Sequence, residues 1–284
     1  MIPLYPRTAE LALIQRPTLH PLFRELPDGI SEFTFANLYL FRKTHHYRVA
    51  RLKEGPIIFL GHDRQPFFMA PFMLPDPAVL KELFAHHRAM KCVSESQAVT
   101  LASLGFLVEE DRDNFDYLYL RRDLAELTGR KFSKKRNLIK AFLNNFDYEG
   151  RPLLEEHIPD ALRVLEHWHS ERETPGDYEA SREALENCEG LQLCGGIYYS
   201  GGNPVAFTLG EENMLGRSFI IHFEKAVRGY KGLWQFINQA FASILPETYE
   251  TVNREQDLGE EGLRAAKMSY KPIGFVKKYR AEAG

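Results

Sequence analysis

The spacing of apolar positions changes period several times along the chain, and each change marks an element. Val79, Leu80, Leu83, Phe84 and His87 share one helical face behind Asp76-Pro77, where Asp serves as N-cap and Pro takes the first helical position. Three short apolar runs before it, Tyr47–Leu52, Ile57–Gly61 and Phe67–Pro71, read as strands. After it come a short strand at Lys91–Val93, a helix around Gln97–Leu104 closed by Gly105, and strands at Phe106–Glu109 and Asp116–Leu120. Ser31–Leu40 reads as a short aromatic-rich helix capped by Ser31. The proline-punctuated Met1–Ile30 reads as an arm with short turns.

Beyond Leu120 the period is mostly helical at first. Phe132, Ile139, Phe142, Leu143 and Phe146 predict a helix from about Gly129 to Asn145, with Lys131, Lys134 and Lys135 opposite its apolar stripe. Ile158, Ala161, Leu162, Leu165 and Trp168 define the next helix, and Tyr178–Cys188 another. Strands at Leu191–Tyr199 and Pro204–Glu211 flank Ser200-Gly201-Gly202-Asn203, a strong hairpin signal, and a third strand covers Arg217–Glu224. Arg228-Gly229-Tyr230-Lys231-Gly232 then opens a helix with Leu233, Phe236, Ile237, Ala240, Phe241 and Ile244 on one face. A strand at Thr248–Val252 leads to Asp257 and Glu260, which have capping-box spacing for a helix from Leu258 to about Ser269, stopped by Pro272. Gly274–Arg280 reads as the last strand. Each half therefore runs three strands, helix, strand, helix, strand. The expected fold is α+β: two similar domains in tandem, residues 1–128 and 129–284, each a mostly antiparallel sheet flanked by helices.

Composition narrows the classes. The chain has 284 residues, 44% hydrophobic and 26% charged, which supplies ample core for such a pair of domains. A net charge of −3 argues against general nucleic-acid coating, so anion binding must be local. Two segments are strongly basic: Arg121–Arg136 holds seven Lys or Arg against two acids, and Leu263–Arg280 holds six against none. No apolar run reaches the roughly 18 residues a membrane span requires, and Met1–Gln15 lacks the features of a signal peptide, so a cytoplasmic protein is expected. Cys92, Cys188 and Cys194 have no metal-ligand spacing and read as reduced thiols. The adjacent pairs His45-His46 and His86-His87, and His157, His167 and His169, likewise suggest no metal site.

Two stretches carry a resemblance to known proteins: DYLYLRRDLAELTGRKFSKKRNLIKAFLNN, from Asp116 to Asn145, and the closing NREQDLGEEGLRAAKMSYKP. With the element order and the glycine-bearing turn after the third strand, they resemble the GNAT acyltransferase fold in tandem. More specifically they resemble the family named for the C-terminal domain of bacterial phosphatidylglycerol lysyltransferase, including its soluble relatives, which are similar to Fem-type aminoacyltransferases. The resemblance implies transfer of an acyl or aminoacyl group from acyl-CoA or aminoacyl-tRNA as co-substrate. The acceptor is an amine or hydroxyl on a small molecule, lipid or peptide, and no covalent cofactor or metal is involved.

On that implied fold the donor pyrophosphate lies at Arg228–Gly232, with Arg228, Gly229, Lys231 and Gly232 as its contacts. The glycines at 229 and 232 do not fall where the GNAT pattern has them, which weakens coenzyme A as donor. Glu224, at the end of the third strand, and Glu255, just past the next, are expected to approach one cleft as bases. Asn253 is expected beside them. Tyr270 stands where many GNAT enzymes keep a tyrosine near the leaving atom, and Lys267, one turn earlier, could steady a phosphate or carbonyl. Arg130, Lys131, Lys134, Lys135 and Arg136 form the candidate tRNA phosphate path. The competing expectation is a non-catalytic member that binds a nucleotide-like or RNA ligand.

Overall fold

A computed structural model describes residues 1–284. The first half runs β1 (Ala9–Glu10), α1 (Arg16–Arg24), α2 (Phe35–Leu40), β2 (Arg48–Arg51), β3 (Ile57–His62), β4 (Pro66–Met69), α3 (Pro77–His86), β5 (Ala89–Val93), α4 (Glu95–Ser103), β6 (Leu107–Glu110) and β7 (Asp116–Leu120). The second runs α5 (Arg121–Glu126), α6 (Ser133–Asn145), β8 (Glu149–Pro152), α7 (Ile158–Ser170), α8 (Tyr178–Glu186), α9 (Cys188–Leu191), β9 (Cys194–Ser200), β10 (Asn203–Asn213), β11 (Ser218–Ala226), α10 (Leu233–Ile244), β12 (Thr251–Asn253), α11 (Glu261–Met268), β13 (Gly274–Val276) and β14 (Tyr279–Glu282).

The strands form two seven-stranded, mostly antiparallel sheets, in the orders β1-β2-β3-β4-β5-β14-β6 and β13-β7-β12-β11-β10-β9-β8. Each sheet therefore takes a strand from across the 128/129 boundary. β7 belongs to the second sheet and β14 to the first, where it lies between β5 and β6. The single strand expected at Gly274–Arg280 is in fact two, one in each sheet; the halves keep the same strand order, β1 to β6 matching β8 to β13, and exchange their last strands, β7 and β14. Strand spacing alone cannot reveal this, because partner choice is a long-range property.

Local signals translate directly where they are local. The Gly201-Gly202 turn, with φ of 56° and 73°, joins β9 to β10 as expected. Pro77 opens α3. Other caps differ from expectation. Thr34, not Ser31, caps α2, its hydroxyl accepting from the Asn37 N–H at 3.0 Å. α11 starts only at Glu261, so Asp257 is not its cap. The arm also contains a helix, α1, with Pro17 at its start and Pro21 inside, which its proline content disguises.

The basic bridge folds as expected into α6, which packs on α10 through stacked Phe142 and Phe236 rings 4.8 Å apart. Gly232, at the start of α10, sits at this contact with φ of 92°, and a Cβ there would lie 2.0 Å from the Leu138 carbonyl oxygen. Gly229 has a similar φ of 93°, but a Cβ there would meet nothing within 4 Å. Gly232→Ala is thus expected to cost more than about 2 kcal/mol, against about 1 kcal/mol for Gly229→Ala. Thermal unfolding of both variants tests this. Equal shifts would mean that only backbone conformation, and not the approach of α6, matters at Gly232.

Candidate active site

The second sheet opens at one place. β11 and β12 pair in parallel only from Ser218–Thr251 to Ile220–Asn253. Past Asn253 the chain follows β7, with Arg254 N–H donating to Tyr117 O at 3.0 Å and Tyr117 N–H to Glu255 O at 3.2 Å. β11 instead stays on β10 through Ala226. At this divergence β11 carries a bulge: Leu209 pairs with Phe223 and Gly210 with Ile221, leaving His222 as the extra residue. The resulting wedge is bridged by two ion pairs, one on each face.

On the face toward α2, His222 is held between two carboxylates. Its Nδ1 is 2.7 Å from Glu255 Oε1 and its Nε2 3.0 Å from Glu211 Oε1. A neutral ring would turn a lone pair toward one of them, so both nitrogens donate and the ring is an imidazolium. Burial opposes that charge, but the hydrogen bonds and negative charges of Glu211 and Glu255 prevail and raise the pKa to about 10. Asn37 of α2 also donates to Glu255 Oε1, at 3.3 Å.

On the opposite face, toward α10, Arg254 Nη2 lies 2.9 Å from Glu224 Oε1, and Asn238 of α10 donates to Glu224 Oε2 at 3.4 Å. The Arg254 guanidinium is 5.1 Å from the Tyr270 ring centre. Lys135 of α6 places its ammonium 3.8 Å from the same ring centre and has no carboxylate or hydrogen-bond partner. Tyr270 is 6% exposed, and burial raises its hydroxyl to about 12 despite Arg254 and its hydrogen bond. Two buried polar atoms beside Glu224 lack a partner: Asn238 Oδ1 and the hydroxyl of Thr208, which pairs with Glu224 across the strands.

Glu224 and Glu255 therefore do not share a cleft. Phe223 packs on Phe41, just past α2, with ring centres 6.4 Å apart, and its neighbour Glu224 must point the other way, to α10. Glu224 and Tyr270 are brought together; Glu255 is not among them. Asn253 is buried and structural, donating to Gly29 O at 3.0 Å and Asp116 Oδ2 at 3.2 Å. Lys267 is likewise occupied, donating to the carbonyls of Arg254, Glu255 and Gln256 at 2.6, 3.0 and 2.6 Å.

The Arg228–Gly232 loop is also engaged. The Arg228 N–H points at both oxygens of Glu171, each at 3.2 Å, and Gly232 abuts α6, whereas Lys231 and the Arg228 and Gly229 positions are exposed. A carboxylate thus already occupies an amide expected to meet a phosphate. The α6 lysines do not form one free stripe. Lys131 pairs with Asp123 at 2.6 Å, Arg136 donates to Gly129 O at 2.7 Å, and Lys135 turns inward. Arg130 and Lys134 remain exposed and unpaired.

Sequence reasoning misses Arg254, His222, Glu211 and Asn238 as site residues. The available signal is charge inside apolar strands: PVAFTLGEEN and SFIIHFEKA each hold ionisable groups where both faces are covered.

Two sheets with an exchanged strand, opening where parallel neighbours diverge, define a tandem GNAT-type fold. The chain belongs to the phosphatidylglycerol lysyltransferase C-terminal family, matched over residues 23–282. It is similar over its whole length to a conserved protein of unknown function from Bacteroides thetaiotaomicron, with 34% identity, TM-score 0.88 and 100% of both chains covered. The C-terminal domain of a putative lysylphosphatidylglycerol synthetase from Agrobacterium fabrum shares the fold at 15% identity and TM-score 0.65, over 96% of this chain and 92% of that one. A tandem GNAT protein from the clavulanic acid biosynthesis pathway does so at 11% identity and TM-score 0.51, over 98% of each. An uncharacterized protein of Mycoplasmoides gallisepticum is 24% identical over 61% of this chain, and the match spans 57% of that protein's length. No helix is long and apolar enough to cross a membrane.

The imidazolium gives a pH prediction. A folded pKa of about 10 lies above the unfolded value near 6.5, so this stabilisation is complete below about pH 6.5 and lost as pH rises through about 10. His222→Gln should therefore lose roughly 3 kcal/mol at pH 6, with the gap to wild type closing toward pH 10. Denaturant titrations across that range measure it, and a gap that stays constant or widens would show that His222 is neutral.

Proposed function

We propose that this chain transfers an aminoacyl group from a charged tRNA to a hydroxyl or amine acceptor, and that the wedge facing α10 is its reaction centre. One observation carries the reading: Arg254, Lys135 and Tyr270 converge beside a single carboxylate, Glu224, next to two polar atoms without partners. Such a site suits a carbonyl that gains negative charge during transfer. In this scheme Arg254 and the Tyr270 hydroxyl face the carbonyl oxygen. Tyr270 passes a proton toward the leaving ribose oxygen, and Glu224 accepts the proton of the incoming nucleophile once Arg254 turns to the substrate.

Two features favour aminoacyl-tRNA over acyl-CoA. The amide at Arg228 is taken by Glu171, and the family is the one named for lysyl transfer. A pyrophosphate contact at Arg228, Gly229, Lys231 or Gly232 is accordingly the weaker option. Arg130, in the turn before α6, and Lys134, in the first turn of α6, are exposed cations placed to meet tRNA phosphates, with Lys131 available if it leaves Asp123. A charged-tRNA donor puts the reaction in the cytoplasm, and the acceptor is a lipid headgroup, a peptide or a small amine. The second reading, binding without chemistry, draws on a different observation: Glu224 and Arg254 already neutralise each other, and Tyr270 is nearly enclosed.

Radiolabelled aminoacyl-tRNA offered with phosphatidylglycerol, peptides and simple amines separates the two. Tyr270→Phe and Glu224→Gln should each lower transfer by about 10²–10⁴-fold. Glu255→Gln should lower stability yet leave transfer within a few-fold, because it lies on the other face. A wild-type chain that binds the charged tRNA but transfers nothing would favour the second reading. Loss of transfer in Glu255→Gln at full stability would return the site to the α2 face.

A further inference from the structure

Lys135 is the basic residue of the wedge to which the transfer scheme gives no step. Of its α6 neighbours, Lys131 is paired with Asp123, Arg136 is bound to a carbonyl, and Lys134 stands in solvent. Lys135 is half-buried, rests on the Tyr270 ring and has no acid within ion-pair distance. Arg254, in the loop after β12, opposes its charge, Tyr270, in the turn after α11, lies beneath it, and α10, packed on α6, brings no ionisable side chain. The one nearby carboxylate, Glu224 of β11, is taken by Arg254. An amine so placed is present largely without its compensating charge, inside the wedge where a donor carbonyl would lie.

We propose that Lys135 is a self-acylation site: an activated acyl thioester or ester that enters the wedge transfers its acyl group to Nζ. The lone pair of the neutral amine forms the N–C bond and the C–S or C–O bond breaks. The thiolate or alkoxide leaves with that electron pair and takes a proton from solvent, while the nitrogen releases one proton to solvent and becomes an amide. Arg254 and Tyr270 lie where the carbonyl oxygen gathers charge. Burial, and then Arg254, lower the Lys135 pKa to about 8, so a useful fraction is neutral near pH 7. The amide is far too stable to return its acyl group, so the modification removes a charge from the wedge and obstructs it. From the functional reading this borrows only that the wedge admits an acyl carbonyl.

Lys134, its neighbour in the chain and exposed, is the internal standard. Wild-type protein exposed briefly to S-acetyl-N-acetylcysteamine is digested, and acetyl-Lys134 and acetyl-Lys135 are resolved by fragmentation mass spectrometry. At pH 7 Lys135 should acetylate at least about tenfold faster than Lys134, with the ratio falling as pH rises above the Lys135 value. In the urea-unfolded chain the two rates should be nearly equal. Lys135 reacting no faster than Lys134 in the folded protein would overturn the proposal, as would a preference that survives unfolding. The probe needs neither tRNA nor acceptor, so a chain inactive in transfer can still be labelled, and an unlabelled one can still transfer.

Discussion

The ammonium of Lys278 holds the two sheets in one piece. It lies between β13 of the second sheet and β14 of the first and is 1% exposed. Its Nζ is 2.7 Å from Asp116 Oδ1 and also bound to Glu32. Asp116 begins β7, the strand lent to the second sheet, and Ser31 donates to it through both its N–H, at 2.9 Å, and its hydroxyl, at 2.8 Å. Burial works against the Lys278 charge, but Asp116 and Glu32 keep its pKa above the ordinary lysine value. A buried ion pair adds little over an apolar substitute, but breaking one leaves an uncompensated charge. The strand exchange therefore brings the crossing lysine and both carboxylates together at one buried point.

From that junction a continuous polar ladder reaches the wedge. Asp116 accepts from Asn253, whose Oδ1 receives the Glu255 N–H at 2.8 Å. Glu255 holds His222, and His222 holds Glu211. The segment after Asn253 is further fixed by Lys267 on three of its carbonyls and by Asp257, which takes Arg264 at 2.8 and 2.9 Å and Tyr117 at 2.5 Å. Burial raises the Asp257 pKa, but the Arg264 and Tyr117 hydrogen bonds outweigh it and hold the carboxyl well below the usual range. These contacts cluster on residues 253–257, the stretch that must leave β11 for the wedge to open. The α2 face of the wedge is thus scaffolding, and it fixes where Arg254 emerges on the other face. Preorganised charge of this kind acts without reorganisation when a substrate's charge develops.

What the sequence discloses follows distance along the chain. Hairpin glycines, the Asp76-Pro77 helix start and the apolar stripe of α6 act within a few residues and are legible. Tyr270 and Glu224 are legible as a pair because strand ends and the following helix end are fixed by element order. The exchange of β7 and β14 is not, since nothing in Gly274–Arg280 marks a change of sheet except Lys277-Lys278. Lys277 reaches outward to Glu110, at 2.7 Å, while Lys278 turns inward. Glu255 falls on the other face from the one expected because position at a strand end says nothing of alternation, and its φ of 54° adds a turn that no propensity suggests. Asp257 has the right spacing for a cap, but two arginines and a tyrosine hold its oxygens in place of a helix terminus.

The lysines make the same point about charge. A net charge of −3 conceals an uneven distribution, and a count of basic residues overstates how many are free. Lys131, Lys267, Lys277 and Lys278 are each answered by a carboxylate or by carbonyls, so they contribute little to any external field. Arg254 is answered once, by Glu224, and Lys135 by none. The excess positive charge on the α10 face therefore collapses to one enclosed spot over the Tyr270 ring. There a low dielectric strengthens its attraction for an incoming anion or polarised carbonyl far beyond that of the solvated lysines outside. A site for a single developing negative charge is consistent with that arrangement, and a long phosphate track is not. In the proposed scheme the wedge takes the charged end of the tRNA, and the exposed Arg130 and Lys134 are left to hold the remainder.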